Sequence, residues 1–249
     1  MDICIYALVV LTGLISGFIN TLAGSGSLLT LPLLIFLGLP ANVANGTNRI
    51  AIILQSVVAV EGFKRKKVFE WREGLWLTVP ATVGSFLGAI MAVNINEQVM
   101  NRVIGALMVV MLVILIYKPE KWIKEHAATS TFKPGILSII IFFAIGFYGG
   151  FIQAGVGFFL LAGLVLNAGF DIVKANAIKV LIVLVYTTIA LGVFIFNKQV
   201  DYTLGFILGA GSMIGAWLAT RLAIKQGANF VRWFVIVVVL AFSVKLLFL

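Results

Sequence analysis

The sequence predicts an all-α polytopic membrane protein. It is read as two inverted-topology repeats, with about eight membrane-embedded elements and a glycine-broken hairpin in each half. Three observations predict this: an apolar composition, a series of span-length apolar runs, and a self-likeness at one fixed offset. Of the 249 residues, 62% are hydrophobic and 11% charged, and the mean hydropathy is +1.15. A soluble domain carries roughly 45–50% apolar and about 25% charged residues. The composition therefore excludes a soluble globular enzyme, a disordered chain and a wetted nucleic-acid-binding domain. Eight spans of about 20 residues would use about 160, close to the apolar content.

The apolar runs fall at 3–22, 28–37, 43–62, 74–93, 99–117, 135–154, 158–168, 172–196, 202–223 and 229–248. The start, Met1-Asp2-Ile3-Cys4-Ile5, lacks the positive n-region of a cleavable signal, so the first run reads as mature membrane structure. The runs at 28–37 and 158–168 are too short to cross a bilayer. Each follows a glycine break, Gly24-Ser25-Gly26 or Gly155-Val156-Gly157. Each ends at a second break, Gly38-Leu39-Pro40 or Gly169-Phe170-Asp171. These two runs read as arms of broken hairpins, and Asp171 reads as a cap for the helix after it.

Charge sets the orientation. The net charge of +9 is concentrated in a few loops. Lys64-Arg65-Lys66-Lys67 with Arg72 form one cluster, and Lys118, Lys121, Lys124 and Lys133 another. Both are expected on the cytoplasmic side, as are Arg221, Lys225 and Arg232. The turn Asn94-Ile95-Asn96-Glu97 and the near-neutral turn Asn197 to Asp201 are expected outside. The parity then closes with both termini outside. The resulting division is a first membrane repeat at 1–117, a cytoplasmic linker at 118–134 and a second, inverted repeat at 135–249. Membrane lipid is an expected partner and nucleic acid is not, because the basic residues serve orientation. Trp71, Trp76, Trp122 and Trp233 sit near span ends and read as an aromatic belt.

The two halves match at an offset of 131 residues. Gly24 and Gly26 fall on Gly155 and Gly157, Gly38 on Gly169, and Ala44-Asn45 on Ala175-Asn176. Glu70-Trp71 falls on Asp201-Tyr202, Gly74 on Gly205 and Gly84 on Gly215. Upstream, Gly17-Phe18-Ile19-Asn20 resembles Gly150-Phe151-Ile152-Gln153 with two residues fewer in the second copy. The loop after Phe63 is basic and its counterpart after Phe194 is nearly neutral, so the copies are oppositely oriented. Inverted repeats of this kind mark many secondary transporters, with substrate bound where paired broken helices meet.

Two constellations carry the candidate chemistry. The first is the pair of breaks: Asn20, Gly24, Ser25 and Gly26 in one copy, Gln153, Gly155 and Gly157 in the other. Glycine permits positive φ and close backbone approach, and N–H groups at a half-helix start face an anion favourably. The competing reading is tight packing through small residues. The second constellation is Asn45, Asn48 and Arg49, mated with Asn176 and Lys179. A cation inside a span costs at least roughly 2.5–3.5 kcal/mol and marks a pathway. Two of them without a neighbouring acid point to an anion between the halves, with snorkelling to headgroups as the alternative. Gln55 and Tyr186 share the 131-residue offset and either bond substrate or hold helices together.

Other polar residues have plainer readings. Glu61 beside the basic loop reads as a salt bridge to Lys64 or Arg65. The single histidine, His126, reads as a solvated loop residue. The single cysteine, Cys4, excludes an internal disulfide and a cysteine-rich metal site. No zinc-helix, nucleophile-elbow or full phosphate-loop motif occurs, so neither an enzyme nor a cofactor or metal is expected. Without a nucleotide-binding segment, gradients are the expected driving force.

The whole pattern resembles the sulfite exporter TauE/SafE family of membrane transporters. The likeness rests on Gly17 through Ser27, on Leu31-Pro32-Leu33-Leu34 with Gly38-Leu39-Pro40, and on Ala44-Asn45-Gly46-Thr47-Asn48. Gly149-Gly150-Phe151-Ile152-Gln153-Ala154-Gly155-Val156-Gly157 carries it in the second copy. The family motif often has three glycines where this chain has Gly24-Ser25-Gly26-Ser27. The resemblance implies movement of a small anion across a bacterial inner membrane: sulfite, a sulfonate or a related organosulfur or organic anion. Alternating access is the expected mode, with an anion channel or a scaffold subunit of a larger complex as alternatives. Homo-oligomerisation is also compatible with this reading.

Overall fold

A computed structural model describes residues 3–69, 71–116 and 135–222. His126, Trp122, Trp233, the lysines at 118, 121, 124 and 133, Lys225, Arg232 and the apolar run 229–248 lie outside them. The described residues form nine helical segments and no strand. These are α1 (Ile3–Leu22), α2 (Ser27–Phe36), α3 (Ala41–Arg65), α4 (Trp71–Asn94) and α5 (Glu97–Ile116). Then follow α6 (Ile136–Phe151), α7 (Val156–Ala162, continued by a π turn at Gly163–Asn167), α8 (Ile172–Phe196) and α9 (Tyr202–Leu222). Among the described residues, five helices, in α1, α3, α4, α8 and α9, are long and apolar enough to cross a membrane.

The exterior is apolar. Val79, Val83, Phe86 and Leu87 on α4 and Phe206, Ile214 and Trp217 on α9 are all exposed. A surface of this kind is unstable in water and suits lipid. The polar residues point inward instead. Asn45, Thr47, Asn48, Arg49, Gln55 and Ser56 are buried on α3, and Lys179 and Thr187 on α8. The central span of α3 is 67% buried while that of α1 is 28% buried. Thus α3 and α8, which pack on each other, form the middle of the molecule. Around them, α1 lies along α9 and α4 along α6, while α9 also packs on α3 and α4 on α8.

Glycine makes the outer pairs close. A Cβ on Gly17 would overlap the backbone of Ser212, and one on Gly146 that of Ala81. A Cβ on Gly215 would meet Leu14 and one on Gly84 would meet Phe143. Small residues allow such backbone approach where lipid supplies no hydrophobic drive between helices. These contacts also refine the register. Ser212 follows Ala81, and Gly215 follows Gly84, by 131 residues. The packing therefore equates Gly17 with Gly146, whereas the peptide likeness equates it with Gly150. Four residues is about one helical turn, so both alignments present the same face.

The breaks are built from helix-ending geometry. Six described residues have left-handed backbones: Gly24, Gly38, Lys67, Gly155, Gly169 and Lys198. The last three follow the first three by 131 residues each. At the first pair of outer breaks, Gly38 N–H donates to Ile35 and Leu39 N–H to Leu34, closing α2. Gly169 N–H donates to Val165 and Phe170 N–H to Leu164, closing the π turn after α7. Such left-handed ends satisfy carbonyls that the helix leaves open. Asp171 then caps α8 as expected, accepting from the N–H groups of Val173 at 3.0 Å and Lys174 at 3.1 Å. Glu61 also forms the expected pair, 2.8 Å from Arg65 on an exposed turn of α3.

Candidate functional site

The two inner breaks touch. A Cβ on Gly24 would overlap the backbone of Gly157, and a Cβ on Gly157 would overlap that of Gly24. Both positions therefore need glycine on steric grounds, and Gly24 needs it again for its φ of +78°. Gly155, at φ +70°, starts α7 beside the side chain of Met111. Gly26 lies against the backbone of Ser16. The sequence singled out these four glycines, and the fold brings their two segments to one crossing.

A small polar cavity adjoins that crossing. Asn20, Gln55, Ser56, Gln153, Gly157 and Lys179 line it, with Val156, Val180 and Val183 completing the wall. It has room for about one water-sized molecule. Four residues expected at the site, Asn20, Gln153, Gly157 and Lys179, thus meet in one space contributed by α1, α3, α8 and the α6–α7 break.

Lys179 is 1% exposed. Its ammonium donates to the carbonyls of Asn20 at 3.2 Å and Thr21 at 3.0 Å, and to Asn176 Oδ1 at 2.8 Å. Asn20 and Thr21 are in the last turn of α1, so the cation sits at the negative end of a helix dipole. Asn176 is held in turn by its Nδ2, which donates to the Ile172 carbonyl at 3.1 Å. No Asp or Glu is buried among the described residues. Among the described residues, only neutral oxygens and the dipole balance the charge.

Arg49 repeats this arrangement across the molecule. Its Nη1 donates to Gly149 at 3.2 Å and its Nη2 to Gly150 at 2.6 Å, both carbonyls in the last turn of α6. Nη2 also lies 3.4 Å from Asn45 Oδ1, and Asn45 Nδ2 donates to Phe151 O at 2.8 Å. The guanidinium stacks 4.6 Å from the centre of the Phe194 ring. Arg49 is fully buried and does not line the cavity. The structure therefore gives its Nη groups to the α6 terminus, and Nε is left without a partner. Asn48 accepts from Thr30 Oγ1 at 2.6 Å, and its Nδ2 is unpartnered, as is the buried hydroxyl of Ser25.

Two contributors escaped the sequence reading. Ser56 lines the cavity, and Thr30 holds Asn48. Ser56 carried a legible signal, since Thr187 follows it by 131 residues and is also polar. Tyr186, whose role the sequence left open, receives Gln153 Nε2 at 2.8 Å and so steadies a cavity residue. No cluster of three or more metal-ligating side chains occurs among the described residues.

An apolar helical shell around a buried cationic cleft at two broken helices is the build of a polytopic membrane transport protein. Comparison with known proteins gives the family. The sulfite exporter TauE/SafE family matches residues 9–246, and the chain belongs to it. The chain is 28% identical to a probable membrane transporter protein, ORF9, of Sinorhizobium sp, over 94% of this chain and 88% of that one. It is 28% identical to the probable membrane transporter protein YfcA of Escherichia coli, over 94% and 87%. A probable membrane transporter protein of Haemophilus influenzae is 24% identical over 100% and 97%. No solved structure matches. A transporter family agrees with the expectation that the chain is not an enzyme.

Proposed function

We propose that this protein is a secondary transporter that moves a small anion across the bacterial inner membrane by alternating access. The substrate class is sulfite, a sulfonate or a related organic anion. The observation that carries the reading is Lys179, a buried ammonium on a polar cavity with no buried acid among the described residues to neutralise it. An oxyanion there gains a charge-assisted hydrogen bond, with Asn20, Gln55, Ser56 and Gln153 replacing part of its water. The family description, a sulfite exporter, supports the choice of anion.

The two halves are inverted repeats in this reading. Its support is the 131-residue pairing of all six left-handed positions. The packing adds to it: α1 with α9 answers α6 with α4, and α9 with α3 answers α4 with α8. Charge places the basic end of α3 inside and the near-neutral end of α8 outside, with both termini outside. A sulfite ion is larger than the water-sized cavity, so loading requires the crossing at Gly24 and Gly157 to part. Lys179 links loading to that motion. Turning to the anion, it gives up its bonds to Asn20 and Thr21 and frees the end of α1.

A thiol in the cavity wall tests the location. The chain has one cysteine, so Cys4→Ser with Ser56→Cys leaves a single reporter. Sulfite itself attacks the products of some thiol reagents, so methylsulfonate serves as the protecting anion against a maleimide. Protection of Cys at this position, with no protection of a lipid-edge control at Val79→Cys, is expected. Equal reaction with and without saturating anion, at both sulfonate and carboxylate probes, removes the anion from this cavity.

A further inference from the structure

We propose a second anion position at the start of α2, mirroring the Lys179 cavity; it rests on the transport reading above. Moving the cavity wall by the 131-residue offset takes Ser56 to Thr187, Val156 to Ser25, Lys179 to Asn48 and Val180 to Arg49. Each of these mates is at most 1% exposed, or fully buried in the case of Thr187 and Arg49. Three of them carry a buried polar atom with no hydrogen-bond partner: Ser25 Oγ, Asn48 Nδ2 and Arg49 Nε. None of them lines the first cavity. Ser27 Oγ is unpartnered as well, so Ser25, Ser27 and Asn48, which Thr30 ties to the first turn of α2, leave three unpartnered atoms at one helix start. Buried polar atoms are nearly always bonded, and a group of exceptions in one place calls for a ligand.

The local geometry supplies the receptor. Thr30 Oγ1 donates to Asn48 Oδ1 at 2.6 Å and lies 3.5 Å from the Ser27 carbonyl. That bridge holds the Asn48 amide against the first turn of α2 and leaves its N–H groups spare. Ser25 and Ser27 flank Gly26 at the same helix start, where the dipole is positive, while the N–H groups of Leu28 and Leu29 are taken by the Ser25 and Gly26 carbonyls. The Ser25 and Ser27 hydroxyls and the Asn48 amide N–H are all able to donate. No buried Asp or Glu accompanies them among the described residues. This donor excess fits an oxyanion with several oxygens and disfavours a metal cation.

Equilibrium dialysis of radiolabelled sulfite against the purified full chain in lipid nanodiscs tests the proposal. Wild type is expected to bind two sulfites per chain. The double variant Ser25→Ala, Ser27→Ala is expected to keep one and to weaken the other by about tenfold or more. Neither hydroxyl bonds anything in the fold, so the variant keeps or raises the wild-type Tm, which separates lost binding from lost folding. Lys179→Met is expected to remove the other sulfite and keep the α2 position. One sulfite per chain in wild type, insensitive to the serine changes and removed by Lys179→Met, overturns the second position while the transport reading stands. No sulfite bound by wild type overturns both.

Discussion

Lys179→Met abolishes saturable anion uptake while the protein still folds. The expected loss is roughly 100-fold or more, the scale of removing the charged partner of a buried ion. Methionine keeps most of the side-chain volume and removes only the cation. The carbonyls of Asn20 and Thr21 and the Asn176 oxygen lose their donor. Asn20 lines a cavity with room for a water, however, and a water in the space left by the ammonium restores hydrogen bonds there. Relief of the buried charge offsets part of the remaining cost. The measurement is initial uptake into proteoliposomes alongside Tm of the same preparation. Uptake at wild-type rates from a folded Lys179→Met chain removes Lys179 from the site.

Arg49→Met acts on the fold. It leaves the carbonyls of Gly149 and Gly150 without donors, away from the lining of the Lys179 cavity, and it removes the stack on Phe194. Unpaired buried acceptors cost about 1–3 kcal/mol each, so a total near 3 kcal/mol or more is expected. For a chain of this length, 1 kcal/mol moves Tm by about 2–4 °C. A Tm lower by about 6–12 °C in nanodiscs is therefore the expected result. An unchanged Tm shows that Arg49 does not secure α6 to α3. The two buried cations look alike in sequence, and the fold separates them by what surrounds each one.

That separation marks the limit of sequence reasoning here. The helix limits were legible because apolar runs end where glycine, proline or charge appears, as at Gly38-Leu39-Pro40 and at Asp171. The crossing of the two glycine breaks was legible because their undersized arms match in position. The direction of Arg49 was not. Helical spacing fixes which face a residue shares, and it does not say whether a neighbouring helix offers carbonyls or a cavity. The register of α1 against α6 was hidden for a related reason. Gly146 and Gly150 lie one turn apart on one face, and the peptide likeness favours the second while contact with α4 makes the first the equivalent of Gly17. Ser56 was overlooked because a lone serine within an apolar run carries little signal until its mate Thr187 is noticed.

The claim at the centre of this account is that the chain carries anions and does not merely pore the membrane. Counterflow tests it most directly. Proteoliposomes loaded with unlabelled sulfite are diluted into a trace of radiolabelled sulfite, with wild type and Lys179→Met compared. The account predicts transient uphill accumulation of label in wild type, saturating with sulfite and absent in the variant. Label that equilibrates without overshoot, at a rate linear in sulfite and equal in both proteins, contradicts it.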